Sequence, residues 1–132
     1  MNAKPIELIL LRQLASRLPM PASLVDAQGI VVYFNPPTER MLGYEHAVMG
    51  EIPMTHLQDL IDPRYPDRSP MLVEQMPLAV ALHDRRPQQA KMIIHGSDGV
   101  AHPIVSTTIP LDGQGGVLLG AMSIFWEDGE GG

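Results

Sequence analysis

The sequence predicts an α+β fold: a five-stranded antiparallel sheet, with helices inserted between strands two and three on one face and a further helix at the N-terminus. Three observations predict it. Two short β-rich runs flank a turn within residues 22–35, short helical segments follow over 36–85, and three β-rich runs separated by glycine-containing turns occupy 88–126. Strands joined by short turns pair antiparallel, so the last three form a meander.

Size and composition indicate one domain and exclude several classes of protein. The chain has 132 residues, a formal net charge of −6 and no cysteine. An acidic balance argues against a nucleic-acid partner, and the absence of cysteine excludes disulfides, thiolate metal sites and cysteine nucleophiles. The apolar run 6–11 is too short to span a bilayer. We therefore expect a cytoplasmic protein with no nucleic-acid or membrane partner.

The N-terminal helix is predicted over residues 5–18. Pro5 suits the first helical turn and Glu7 suits the positive end of the helix dipole. An apolar stripe with helical spacing follows, formed by Leu8, Leu11, Ala15 and Leu18. Two interpretations stay open: this stripe covers the domain's own sheet, or it forms a dimer contact together with Trp126. The predicted organisation is a helix over 1–20, a domain over 21–127 and a flexible tail over 128–132.

A hairpin and a capped helix are predicted next. Residues 22–26 and 30–35 are β-rich, and Asp26 and Gly29 supply turn chemistry between them. Asn35 is a good helix N-cap, and the two prolines that follow it suit a first helical turn. The helix should end at Gly43, which can adopt the left-handed conformation of a C-cap.

The remaining elements are a Pro-rich segment, a helix and the meander. Prolines within 51–77 argue against long regular elements there, and Pro77 begins a helix over 77–85. Asp98-Gly99 predicts a tight turn between the third and fourth strands, which would place His95 opposite His102 on one face. Such a pair is either solvent-facing or part of a metal site, although no third ligand is evident.

The sequence from about residue 21 to 127 resembles the PAS (Per-Arnt-Sim) sensory domain family. The similar stretches are LVDAQGIVVYFNPPTERMLGY, PLAVALHDRRP and GSDGVAHPIVSTTIPLDGQGGVLLGAMSIFWED. The resemblance implies that the sheet and the inserted helices enclose a pocket. The candidate pocket residues, all apolar, are Val32, Phe34, Met41, Leu42, Leu60, Leu78, Leu82, Met92, Ile94, Val105 and Met122. They either pack a filled core or line a site for a small apolar ligand.

The same resemblance bears on cofactors. Haem-binding relatives use a histidine near position 83, but Asp84 and two arginines follow His83, which is typical of a solvated helix end and disfavours haem. Flavin photochemistry of the light-oxygen-voltage kind needs a cysteine, which this chain lacks. We recognise no nucleophile elbow, phosphate loop or metalloprotease motif.

We therefore predict a non-enzymatic sensory and signalling module that forms a homodimer. Its output would pass to a signalling partner or to a covalently linked output domain. Two alternatives stay open, namely a ligand-free protein-interaction domain and a haem or redox sensor.

Overall fold

The computed structural model describes residues 6–129, which form one antiparallel sheet with helices on both faces. The sheet order is β3-β2-β1-β6-β5-β4. The strands are β1 Ala22–Asp26, β2 Ile30–Phe34, β3 Ile52–Pro53, β4 Gln88–His95, β5 Ala101–Asp112 and β6 Leu118–Glu127. The predicted α+β class is confirmed. The strand count of five was wrong, because two residues of β3 pair with the edge of β2. Pro53 lacks an N–H group, which suits so short an edge strand.

The helices lie between and before the strands as predicted. They are α1 Ile6–Ser16, α2 Pro36–Leu42, α3 His46–Met49, α4 Leu57–Ile61 and α5 Pro77–Asp84. The helices between β2 and β4 cover one side of the sheet, which we call the inner face, and α1 lies against the other, the outer face. No helix in this part of the chain is long and apolar enough to cross a membrane.

Local chemistry builds the first hairpin and the capped helix as the sequence predicts. The Asp26 carboxylate accepts hydrogen bonds from the Gln28 and Ile30 amides, each at 3.0 Å, and so stabilises the turn. Asn35 caps α2 by accepting from the Thr38 amide at 3.2 Å. Gly43 ends α2 with a φ of 76°, where a side chain would be strained.

The outer face is covered in part by α1. Leu8 and Ala15 are buried in a cluster with Leu24, Val32 and Met122 from β1, β2 and β6. Strand β6 is apolar on both faces, so covering either face and excluding water from it stabilises the folded state. In this structure α1 thus covers the domain's own sheet, which is the first of the two interpretations left open by the sequence.

The β4–β5 connection is longer than predicted. His95 pairs with Ala101 and Ile94 pairs with His102, so residues 96–100 form the loop and the two histidines do not face one another. The loop is drawn onto the end of α2, where the Ser97 amide donates to the Leu42 carbonyl at 2.7 Å. That bond satisfies a carbonyl left free by the helix end. The observed register of β4 and β5 therefore differs by one residue from the register expected for a two-residue turn.

Two sequence predictions fall partly outside the described residues. Pro5, the predicted first-turn proline, belongs to residues 1–5, and most of the predicted tail belongs to residues 130–132.

Candidate functional site

An apolar cavity lies between the inner face and the helices. It has a volume of about 80 Å³, and we call it the first chamber. Its wall is formed by Ser23, Val31, Phe34, Thr38, Leu42, Tyr44, Met49, Ile52, Leu57, Leu60, Ile61, Leu78 and Phe125. A space of this size with these walls can take a small apolar molecule, because transfer of apolar surface from water is favourable.

A second chamber of about 60 Å³ lies beside the first. The two share Ser23, Leu57, Leu78 and Phe125. The rest of its wall comes from Met76, Pro77, Met92, Ile94, Ile104, Ser106 and Ser123. Among the described residues, no charged side chain lines either chamber, so an ionised ligand would lose its hydration without gaining a counter-charge.

The irregular segment between β3 and α5 closes the cavity through side-chain to backbone hydrogen bonds. The Tyr44 hydroxyl donates to the Leu60 carbonyl at 2.9 Å and holds α4 in place. Gln58 donates from its amide to the Met71 carbonyl at 2.7 Å and accepts from the Val73 amide at 2.9 Å. These bonds order a Pro-rich stretch that has few ladder partners of its own.

The structure brings about half of the predicted pocket residues to the two chambers. Phe34, Leu42, Leu60 and Leu78 line the first, and Leu78, Met92 and Ile94 line the second. Met41 and Leu82 pack at the margins of the neighbouring inner-face clusters. Val32 and Met122 lie on the outer face against α1, and Val105 pairs with Trp126 on that same face.

Sequence reasoning missed several cavity residues, most notably Ser23, Tyr44, Leu57 and Phe125. For Ser23 a signal existed, because it alternates with the outer-facing Leu24 along β1. For Phe125 none existed, since β6 is apolar at nearly every position and its alternation assigns no face.

Comparison with protein families identifies the chain. A family model described as the PAS fold matches residues 10–125. The chain belongs to the PAS family. The resemblance found in the sequence is therefore confirmed, and the cavity occupies the space between the sheet and the helices of a PAS domain. Comparison with curated proteins finds no match.

Solved structures of PAS domains have the same fold. A PAS domain from Colwellia psychrerythraea is 18% identical, with a TM-score of 0.66 over 92% of this chain and 97% of that one. The PAS domain of Bordetella pertussis BvgS is 17% identical, with a TM-score of 0.63 over 94% and 87%. A LOV protein of Rhodobacter sphaeroides is 19% identical, with a TM-score of 0.73 over 97% and 71%. At these identities the likeness concerns the fold.

The histidines of this PAS domain lie away from the cavity walls. The His83 side chain is 87% exposed and contacts the Asp84 carboxylate at 2.8 Å. His95 donates to the Asp62 carbonyl at 2.9 Å, whereas His102 contacts Glu127 at 2.9 Å. Since residue 102 pairs with residue 94, the imidazoles of His95 and His102 point to opposite faces of the sheet. The predicted cross-strand pair was wrong, and the alternative of a metal ion shared by these two imidazoles falls with it.

His46 and Tyr33 connect α1 to the inserted helices. His46 is half-buried, with Nε2 3.0 Å from the Val32 carbonyl oxygen and its ring centroid 5.1 Å from that of Tyr33. The Arg12 guanidinium lies over the Tyr33 ring at 4.8 Å. Partial burial raises the pKa of the Tyr33 phenol above its ordinary value; Arg12 opposes that shift and Glu39 adds to it.

The predicted dimer residues are placed mostly within the molecule. Leu8 and Ala15 are buried against the domain's own sheet, and Leu11 and Leu18 pack beside them. Trp126 and Ile109 of the outer face are 40% and 42% exposed. The water-facing side of α1 carries its own apolar residues, namely Ile6, Ile9, Leu10 and Leu14, which are 46–69% exposed.

Proposed function

We propose that this PAS domain is a non-enzymatic, cytoplasmic sensory module that binds a small apolar ligand in its chambers. The observation that carries the proposal is the first chamber, which is apolar, uncharged and bounded by helices that could shift when it fills. A ligand that binds one packing of these helices better than another would change their relative populations. The signal would pass to a partner protein or to a linked output domain.

The size of the chambers limits the ligand class. A dry cavity of about 150 Å³ in another protein binds benzene, and the first chamber has about half that volume. A ligand of one small ring, extending into the second chamber, fits this space. Haem does not fit it, and the exposed side chain of His83 offers no axial ligand within it.

Benzene is therefore a suitable probe of the cavity. We expect benzene to raise the melting temperature in a concentration-dependent way, because a ligand that binds only the native state stabilises it. Leu60→Phe should lower benzene affinity at least about tenfold, since it fills the first chamber from a half-buried position. Thermal denaturation and amide chemical shifts measured during a benzene titration report both effects.

The matched control is Leu72→Phe, the same change at a side chain that is 49% exposed and lines neither chamber. It should leave benzene binding as in the parent protein. If benzene leaves both the melting temperature and the cavity resonances unchanged, the ligand-binding proposal fails. The small first chamber would then favour the second candidate function, a ligand-free protein-interaction domain.

We further propose that the domain forms a homodimer through the outer face. What supports this is that four apolar side chains are exposed on this side of the domain, Leu10 and Leu14 on α1 and Ile109 and Trp126 on the sheet. Burial of such a surface against a second copy stabilises the pair by about 25 cal/mol per Å² of apolar area.

Charge on the water-facing side of α1 tests the dimer. We expect the parent chain to sediment as a dimer and Leu10→Glu/Leu14→Glu to sediment as a monomer with nearly unchanged stability, because both side chains are more than half exposed. Val48→Glu is the matched control, since Val48 is 77% exposed on α3, away from the outer face, and should leave the dimer intact. A parent chain that stays monomeric at high concentration, or a double variant that stays dimeric, contradicts this proposal.

A further inference from the structure

A line of hydroxyl groups crosses the inner face of the sheet. It consists of Ser23 on β1, Ser123 on β6, and Ser106 and Thr108 on β5, and we call it the hydroxyl row. Ser23 and Thr108 are the direct cross-strand partners of Ser123. The inner-face positions around the row carry Phe34, Met92, Ile104 and Phe125, so the row is a polar line in an apolar setting.

The hydroxyl row has more donors than it uses. Ser123 Oγ lies 3.2 Å from Ser106 Oγ and 3.1 Å from Thr108 Oγ1. These two hydrogen bonds use two of the three hydroxyl protons, however the protons are arranged. Within residues 6–129 the row forms no hydrogen bond beyond these two, so the third proton and the hydroxyl of the partly buried Ser23 are available to donate.

The spare donors border the cavity. Ser23 lines both chambers, and Ser106 and Ser123 line the second. Within residues 6–129 no buried side-chain nitrogen or oxygen lacks a hydrogen-bond partner, so the row is stable without a ligand. A molecule in the chambers that places an acceptor atom at the row gains hydrogen bonds there in addition to the burial of its apolar body.

We propose that the hydroxyl row recognises the polar group of the ligand. The ligand class is an uncharged molecule of about one ring that carries a hydrogen-bond acceptor, such as a ketone, aldehyde or amide carbonyl. Ser23 and Ser123 donate to the acceptor while the apolar body fills the first chamber. A carboxylate is excluded by the uncharged walls. This inference rests on the proposed ligand-binding function and names the chemical class that the site takes.

Two probes of nearly equal shape test the assignment. Cyclohexanone and methylenecyclohexane differ only in C=O against C=CH₂, so only the first accepts a hydrogen bond. Their affinities for the parent protein, Ser123→Ala and Ser23→Ala are measured by amide chemical shifts during titration. Because the two probes differ in hydration, the deciding quantity is the ratio of the two affinities in each protein, in which the hydration difference is constant.

We expect the affinity ratio to move against cyclohexanone by about three- to tenfold in each serine variant, as for loss of one hydrogen bond. Thr107→Val is the control; it removes a hydroxyl from the outer side of the same strand, where Thr107 Oγ1 accepts from Gln89, and the ratio should not change. Two serine variants are used so that poor folding of one does not decide the result.

An unchanged ratio in both serine variants, with both probes still binding, overturns this inference and leaves the proposed ligand function standing. If neither probe binds the parent protein, both this inference and the proposed ligand-binding function fail.

Discussion

Asn35→Ala is expected to lower the free energy of unfolding by about 4 kcal/mol, since it leaves several buried polar groups without partners. Asn35 is fully buried. Its amide nitrogen donates to the Ala15 and Met20 carbonyls, each at 3.0 Å, and its oxygen accepts from the Ala22 amide at 2.9 Å and from Thr38. One side chain thus joins the end of α1, β1 and the start of α2. Urea denaturation gives the value.

Thr38→Val provides the comparison, because it removes one hydroxyl of the same network and keeps Asn35. It should cost only about 1–2 kcal/mol. Hydrogen exchange separates the two further: α1 amides should lose protection in Asn35→Ala, where the Ala15 bond is gone, and keep it in Thr38→Val. A loss below about 1 kcal/mol in Asn35→Ala would contradict this account. The expected loss is a large part of the total stability of a natural domain, which is only about 5–15 kcal/mol.

Gly120→Ala is expected to be the other severe substitution. Gly120 lies in β6 with a φ of 154°, and a Cβ built there would overlap the Val25 carbonyl oxygen of the neighbouring strand. Because the obstacle is backbone, β1 and β6 would have to separate, which disturbs both faces of the sheet at once. We expect a loss of about 4 kcal/mol or failure to fold. Thermal and urea denaturation measure it.

Gly115→Ala separates the close approach from backbone strain alone. Gly115 has a φ of 69°, and nothing lies within 4 Å of a Cβ built there. The alanine variant should therefore show only the cost of a left-handed conformation, about 1–2 kcal/mol. If Gly120→Ala costs no more than Gly115→Ala, the tight contact between β1 and β6 does not constrain the fold.

These predictions and the ligand proposal meet at the centre of the sheet. Asn35 ties α1 to the strand that carries Ser23, and Gly120 sets the approach of the strand that carries Ser123. A ligand that forms hydrogen bonds to the hydroxyl row would thus act on β1 and β6, and α1 packs against both of these strands. This is a physical route by which filling the chambers could reach the proposed dimer surface.

Residues whose structure depends on near neighbours could be assigned from the sequence. Asp26, Asn35 and Gly43 act through hydrogen bonds and backbone angles within a few residues, so the first hairpin and the capped α2 were predicted correctly. The order of these signals along the chain also sufficed to name the family. Helix α5 follows the same rule, because Pro77 marks its start.

Only the tertiary structure decided what depends on contacts distant in sequence. It assigned Met122 to α1 and Phe125 to the cavity, because β6 is apolar on both faces and alternation alone cannot choose between them. It also set the β4–β5 register, through the bond from Ser97 to the end of α2, and the cavity wall, through Gln58. The hydroxyl row belongs to this second class: its serines and threonine stand on three strands, and only sheet pairing brings them into one line.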